Sequence, residues 1–235
     1  MWHIFDSGIK SAEENMRLDE RLLAELSSES KPLLHFYGWR SDSATFGHFI
    51  DPSQFLDLEK ATKRGLELGR RSTGGGIIFH IWDLAFSVLI PSSHPSFSQN
   101  TLENYRYVNN IVLESVTHFL KTSSHPDLLQ NENSSDEQCR HFCMAKPTKY
   151  DVMLQGKKIA GAAQRKTKQG LLHQGSISLC MPDEEYLKDV LKSTKVLEAM
   201  RQNTYPLLAE RSRTQLEEVR KSLKEQLIAH FQRLF

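Results

Sequence analysis

A chain of 235 residues, 39% hydrophobic and 25% charged, can bury a substantial core. Its net charge of +1 excludes the basic bias of a general nucleic-acid binder, and its composition excludes wholesale disorder and a membrane span. The opening MWHIFDSGIKSAEEN lacks the charged-then-apolar order of a secretory signal, and Cys139, Cys143 and Cys180 make no disulfide framework, so a reducing cytoplasm is expected.

WHIFDSG alternates as a strand, and SAEENMRLDERLLAEL predicts a helix with Ser11 and Glu14 in capping-box register and Leu18, Leu22 and Leu26 on one face. LLHFYGW and SATFGHF predict two short strands joined by a polar turn. SQFLDLEKATKRG predicts a helix ended by Gly65, and LELGRR another strand. GIIFH and LAFSVLI predict paired strands, the second apolar enough to be buried on both faces. TLENYRYVNNIVLESVTHFL predicts a helix burying Val108, Ile111, Val112, Val116 and Phe119.

Residues 121–138 are polar, turn-rich and aperiodic, which predicts a long loop of a kind uncommon unless functional. KYDVMLQ and KKIAGAAQR predict strands turning tightly at Gly156, and HQGSISL a further strand. TQLEEVRKSLKEQLIAHFQRLF predicts a last helix with a Thr214/Glu217 capping box and a buried stripe of Leu216, Val219, Leu223, Leu227 and Phe231. That helix reaches the final residue, so a single domain over 1–235 with no C-terminal accessory domain is expected. The mixture predicts an α/β or α+β domain with helices on the faces of a sheet.

Three stretches carry chemistry. In GRRSTGGGIIFH, a plain flexible hairpin needs only one or two glycines, whereas three behind Arg70 and Arg71 suit a ligand lying along exposed amides. The G-x-x-x-x-G-K-[ST] and G-x-G-x-x-G patterns are absent, which leaves a different anion or an extended acyl chain. In QGKKIAGAAQRK, Lys157 and Lys158 must face opposite ways on a strand, so at most one enters a site; a solvated hairpin tip is the alternative. The small residues from Ala160 to Ala163 leave room for a slender substrate. In CRHFCMAKP no second Cys/His pair completes a zinc site, and no metal is expected. Cys143 ends the polar loop near lysines, a setting that suits a nucleophile.

Together these stretches resemble the lipoate-protein ligase and octanoyltransferase family, related in fold to biotin-protein ligases and class II aminoacyl-tRNA synthetase cores. NMRLDERLL resembles its N-M-A-L-D-E helix, RRSTGGGIIFH its R-R-x-[ST]-G-G-G-x-x-x-H, GKKIAGAAQRK its G-x-K-[IV]-x-G-[SA]-A-Q, and LHQGSI its H-[HQ]-G-[ST] strand. The resemblance implies a mixed, largely antiparallel sheet flanked by helices, as in the biotin/lipoate-protein ligase catalytic domain. It implies that Gly74, Gly75 and Gly76 border the lipoyl or octanoyl slot, that Arg70, Arg71 and Ser72 border the activated head group, and that Lys158 is catalytic. His80, Gly161, Ala162, His173 and Gly175 are implied to bind substrate.

CMAKPTKYDVML, with Cys143 seven positions before Tyr150, resembles the C-F-x-x-P-[ST]-x-[YW] segment of the cysteine-dependent transferases. That implies a Cys143 thioester carrying octanoate from acyl carrier protein to the lysine of a lipoyl domain, on the glycine cleavage H protein or a 2-oxoacid dehydrogenase E2. In that reading there is no tightly bound cofactor and no nucleic-acid or membrane partner. Gly76 stands where transferases often have arginine and ligases glycine, and Ala162 and Trp82 also depart from the common pattern. An ATP-dependent ligase using lipoate, ATP and Mg therefore stays open, as does a relative that only binds a lipoyl domain.

Overall fold

Strand β1 (His3–Lys10) and strand β2 (Leu33–Trp39) run parallel, joined through helix α1 (Ala12–Ala24). The structure, a computed structural model, describes residues 1–120, 125–131, 139–209 and 212–233, and elements are counted over those. Ser11 Oγ accepts from Glu14 N at 3.2 Å while Glu14 Oε2 accepts from Ser11 N at 2.9 Å, so α1 starts at the capping box its sequence carries. Its buried face is Ala12, Asn15, Met16, Asp19 and Leu23. The leucine stripe at 18, 22 and 26 is only partly buried, because the helix turns its two polar residues, Asn15 and Asp19, toward the site.

Next come β3 (Ser43–Phe46), α2 (Leu58–Lys63), β4 (Glu67–Arg70), β5 (Ile77–His80), β6 (Asp83–Pro91) and α3 (Thr101–Leu120). After them follow β7 (Asp127–Leu128), β8 (Val152–Leu154), β9 (Lys157–Lys166), β10 (Gly170–Ser178), α4 (Glu184–Val190), α5 (Thr194–Asn203) and α6 (Arg213–Gln232). A seven-stranded sheet runs β1-β2-β6-β10-β9-β8-β7, antiparallel except for its first pair, and a small sheet runs β4-β3-β5.

One expected pairing is corrected by this order: β5 and β6 are not partners but lie in different sheets, the chain crossing at Ile81–Trp82; β2 and β3, the two strands joined by a polar turn, are also divided between the sheets, with the crossing at residues 40–42. The stretch 53–65, expected as one helix, is likewise divided; a 3₁₀ turn at Pro52–Gln54 precedes α2, whose cap is Asp57, accepting from Lys60 N at 3.1 Å. Gly65 does end it, at φ +73°. At α6 the cap is Ser212 rather than Thr214, since Ser212 Oγ accepts from Gln215 N at 3.4 Å. Residues 121–124 and 132–138 of the expected loop lie outside the described residues; within it, Asp127–Leu128 pairs with β8.

β6 is buried along its whole length, as its composition predicts, and alternation explains why. Leu84, Phe86, Val88 and Ile90 join the core under α3 and α6, whereas Ala85 and Leu89 face α1. β10 alternates in step: Leu171 and Ile177 join the α3 side, while Leu172 packs toward α1. A second core of Phe46, Leu56, Ile77, Phe79, Phe142, Leu187, Val190 and Leu197 fills the space between the small sheet and α4 and α5. The site lies where the α1 face of the large sheet meets the small sheet.

Candidate active site

Cys143 is placed by its neighbours on the edge of β5. Phe142 is buried in the second core and bridges Ile77, and Cys143 N donates to Ile77 O at 2.9 Å. Gly76 permits this approach, because a Cβ there would collide with the His141 carbonyl and stand 2.9 Å from Phe142 N. Gly75 has φ +84°, and a Cβ on it would lie 3.4 Å from Ala163 Cβ and 3.8 Å from Cys143 Sγ. Gly74 would meet nothing within 4 Å. The three glycines thus do different jobs: one is a close approach, one a left-handed residue facing the sulfur, one an open position.

Lys158 reaches the same place from β9. Between Val152 and Met153 the register of β8 against β9 slips by one residue, with Val152 opposite Ala160 and Met153 opposite Lys158. This bulge re-aims the side chain, which comes to share a face with Gly161: a Cβ on Gly161 would collide with the Lys158 side chain and stand 2.6 Å from Asp151 Oδ1. Lys158 is buried, and its Nζ lies 2.8 Å from Asp151 Oδ2 and donates to Cys143 O at 2.9 Å. Lys157 stays half-buried, as alternation requires.

Asp151 is fully buried and saturated with donors. Besides Lys158 it accepts from Thr148 N at 2.6 Å, Thr148 Oγ1 at 3.0 Å and Tyr105 OH at 2.6 Å. Burial, then the adjacent Asp151, holds the Tyr105 hydroxyl well above its ordinary pKa, so it stays a donor. That hydroxyl also accepts from Ala162 N at 2.9 Å.

Arg71 points inward and Arg70 does not. Arg71 donates through Nη1 to Thr45 Oγ1 at 2.8 Å and through Nη2 to the carbonyls of Gly74 and Gly76 at 3.2 and 2.7 Å. It therefore fixes the glycine turn from beneath. Burial lowers its pKa, and the neighbouring Cys143 and Tyr37 oppose that shift. Arg70 is exposed, donates to the carbonyls of His48 and Ile50 at 2.7 and 3.1 Å, and lies over the Phe46 ring. Its implied head-group role does not match that placement. Ser72 Oγ is buried with no hydrogen-bond partner among the described residues.

The pocket between these parts is lined by Met16, Tyr37, Ile78, His80, Cys143, Met144, Lys158 and Ala163. Gly161, Ala162 and Gly175 also line it, Gly175 with Phe86 packed where its Cβ would stand. His80 is held by Thr45 Oγ1 at 2.8 Å and Asp83 Oδ2 at 2.6 Å and stacks on Trp39. His173 is placed elsewhere. It sits on the α3 side of β10 beside Phe86 and Tyr105, meets the Gln164 amide at 2.9 Å, and its Nε2 has no partner among the described residues. Burial lowers its pKa to about 3, so it is a neutral core histidine and not a lining residue.

The lipoyl protein ligase A/B catalytic domain matches residues 11–232. The chain belongs to this family. The octanoyltransferase LipM of Anoxybacillus flavithermus is 35% identical over 216 residues, covering 86% of this chain and 74% of its own length. That of Bacillus subtilis is 32% identical over 242 residues, covering 95% and 84%. A lipoate-protein ligase A bound with ATP superposes with a TM-score of 0.70 at 25% identity, covering 97% of this chain and 86% of the other. A bi-partite lipoate protein ligase from Thermoplasma acidophilum shares the fold, with a TM-score of 0.71 at 24% identity over 99% and 84%. The mixed, mostly antiparallel sheet flanked by helices is this family's architecture, and the chain is an acyltransferase of protein lipoylation. No helix among the described residues is long and apolar enough to cross a membrane.

Several residues that build this family site are carried by the motifs without a marked role: Asp19 in NMRLDERLL, Thr73 in RRSTGGGIIFH and Gln174 in LHQGSI. Asp19 accepts from Ser87 Oγ at 2.6 Å and Gln174 Nε2 at 2.7 Å and meets His35 Nδ1 at 2.9 Å. Gln174 accepts in turn from Thr73 Oγ1 at 2.8 Å, and Thr73 lies 3.3 Å from Arg71 Nε. This chain of buried contacts ties α1 to the glycine turn, and a satisfied polar network of this kind fixes one geometry. Their sequence signal is membership of those motifs, together with polar Asn15 and Asp19 at helical spacing on the inner side of α1. Asp151 and Tyr105 had no such signal, because they meet across 46 residues.

Proposed function

We propose that the chain transfers an octanoyl group from octanoyl-acyl carrier protein to the acceptor lysine of a lipoyl domain, through a thioester on Cys143. What carries this reading is the meeting of Cys143 and Lys158 in one pocket with an apolar, small-residue interior. The Cys143 thiolate attacks the donor thioester carbonyl, the carrier's thiol leaves with a proton, and an acyl-enzyme remains. The neutral amine of the acceptor lysine then attacks that thioester; the amide forms and the cysteine thiol is restored. Lys158 Nζ, already 2.9 Å from the Cys143 carbonyl, is the cation positioned to hold the oxyanion that develops in both steps. Arg71 keeps the Gly75 turn opposite the sulfur. The relatives named octanoyltransferase support transfer over ATP-driven ligation. The acceptor is a glycine cleavage H protein or a 2-oxoacid dehydrogenase E2, and the setting is the cytoplasm.

Incubation with octanoyl-acyl carrier protein without ATP is expected to give a covalent adduct by intact mass that hydroxylamine removes. Cys143→Ser should lose the labile thioester, and Cys139→Ser and Cys180→Ser should keep it, both of those cysteines being buried away from the pocket lining. ATP- and lipoate-dependent modification of a lipoyl domain that survives Cys143→Ala, with no adduct from the carrier protein, would overturn the proposal in favour of a ligase.

A further inference from the structure

A single row of residues crosses the large sheet beneath the pocket; its Gly161, Ser176 and Tyr37 line the pocket, while Ala85 lines the outer groove. Gly161 on β9 stands opposite Ser176 on β10, and Ser176 stands opposite Ala85 on β6. Phe36 pairs with Phe86, so the next residue of β2, Tyr37, completes that row. Residues directly opposite in antiparallel strands share a face. The floor therefore offers no side chain at Gly161, then the Ser176 hydroxymethyl, and ends against the Tyr37 ring, which packs on Ala85. Tyr37 packs with Met16 and Ala85, and its hydroxyl lies 3.3 Å from Ser87 Oγ, so the ring leans over β6.

The reacting groups stand at the other end of this trough, above Gly161, where Lys158 Nζ meets the Cys143 carbonyl. Strand spacings of about 4.8 Å put two to three spacings, about 10 to 14 Å, between that end and the Tyr37 ring. Tetrahedral carbon bonds of about 1.5 Å advance an extended chain by about 1.25 Å each, so the seven bonds of an octanoyl group span about 9 Å. Adding about 4 Å for contact between the terminal methyl and the ring gives about 13 Å, which fits. The eleven bonds of a dodecanoyl group span about 14 Å and need about 18 Å, which does not fit. Tyr37 and His80 also line an outer groove with Gly38, Trp39 and Ala85, so the barrier beyond the trough is one side chain thick.

We infer that Tyr37 is the specificity-determining residue that limits the acyl chain to about eight carbons by closing the β2 end of a trough floored by Gly161 and Ser176. This rests on acyl transfer at Cys143, and the test separates the two. Wild type, Tyr37→Ala, Tyr37→Leu and Tyr37→Phe are each offered hexanoyl, octanoyl, decanoyl and dodecanoyl thioesters of acyl carrier protein, and adducts are followed by intact mass. Wild type should take up octanoate and discriminate against dodecanoate by tenfold or more, on the order of the cost of methylenes forced against a closed wall. Tyr37→Ala should remove that discrimination by opening the trough into the outer groove, and Tyr37→Phe, which keeps the ring, should retain it. Tyr37→Leu shortens the side chain while keeping it apolar, so it reads the same limit if alanine proves too unstable. An unchanged length profile in a folded Tyr37→Ala or Tyr37→Leu protein that still acylates from octanoyl carrier overturns this inference alone. Failure of wild type to acylate with any chain overturns the thioester reading as well.

Discussion

Replacing Lys158 by methionine removes the cation from a carboxylate that the fold has taken out of water. Asp151 is 0% exposed and Lys158 3% exposed, at 2.8 Å, so this is a buried pair and not a screened surface one. Breaking such a pair from one side costs about 3–5 kcal/mol, because the remaining charge is desolvated without compensation. At about 2–4 °C per kcal/mol for a chain of this size, the melting temperature of Lys158→Met should fall by roughly 6–20 °C. Turnover should fall separately, by the several kcal/mol on the order of losing an oxyanion donor. The two losses can be separated with Asp151→Asn in the Lys158→Met background. An asparagine oxygen can keep the Thr148 contacts, and its amide can donate to Tyr105 OH, whose proton is then free for Ala162 O at 3.2 Å. The double variant should regain most of the melting temperature and none of the activity, measured by calorimetry and by octanoylation of a lipoyl domain. Near-normal turnover in Lys158→Met would refute the oxyanion role. An unshifted melting temperature would refute the claim that the Lys158–Asp151 contact carries stability.

The glycine turn predicts a graded series, read by unfolding midpoint and by acyl-adduct formation. Gly74→Ala should lie within about 0.5 kcal/mol of wild type, as at an ordinary surface position. Gly75→Val should lose adduct formation at a strain cost of about 1–2 kcal/mol from its φ of +84°. Gly76→Ala should damage both, since it pushes the 141–142 backbone and Cys143 with it; equal effects at all three glycines would contradict the assignment. For His173, the folded pKa of about 3 lies below the free value of 6.5, so the unfolded chain takes a proton that the folded chain refuses. Stability from this group is therefore complete above pH 6.5 and lost as pH falls toward 3, by about 3 kcal/mol at pH 4.5. Urea unfolding at pH 7 and pH 4.5 should show a smaller drop in His173→Gln than in wild type, and identical drops would show that His173 is not held neutral.

Local features were legible because local chemistry sets them. The Ser11/Glu14 capping box, the left-handed Gly65 at the end of α2 and the Gln155–Gly156 turn all depend on residues within a few positions of one another. The apolar run of β6 announced burial on both sides for the same reason. Helices α4 and α5 have no comparable local signal: they are short, and much of their apolar surface is matched only by the second core they complete. The Thr214 cap was misplaced by two residues, since Ser212 and Thr214 both suit a cap and only the backbone's extended φ and ψ at Ser212 chooses.

The candidate site divides along the same line. The motifs named Cys143, Lys158, Arg71, Gly75, His80 and Gly161, and these converge on one pocket or its rim. They also named Arg70 and His173, whose side chains the folded sheets turn outward and to the α3 face, a choice made by strand register. Sequence by itself determined which residue types were available to form an acyl site and where the chain must bend sharply. Only the tertiary structure decided that a bulge opposite Met153 would aim Lys158 at Cys143, that Asp151 and Tyr105 would hold it there, and that Tyr37 would stand at the far end of the trough. The reason is that a one-residue change in register swaps the faces of a strand, and register between strands far apart in the chain is set by the packed core and not by any local pattern.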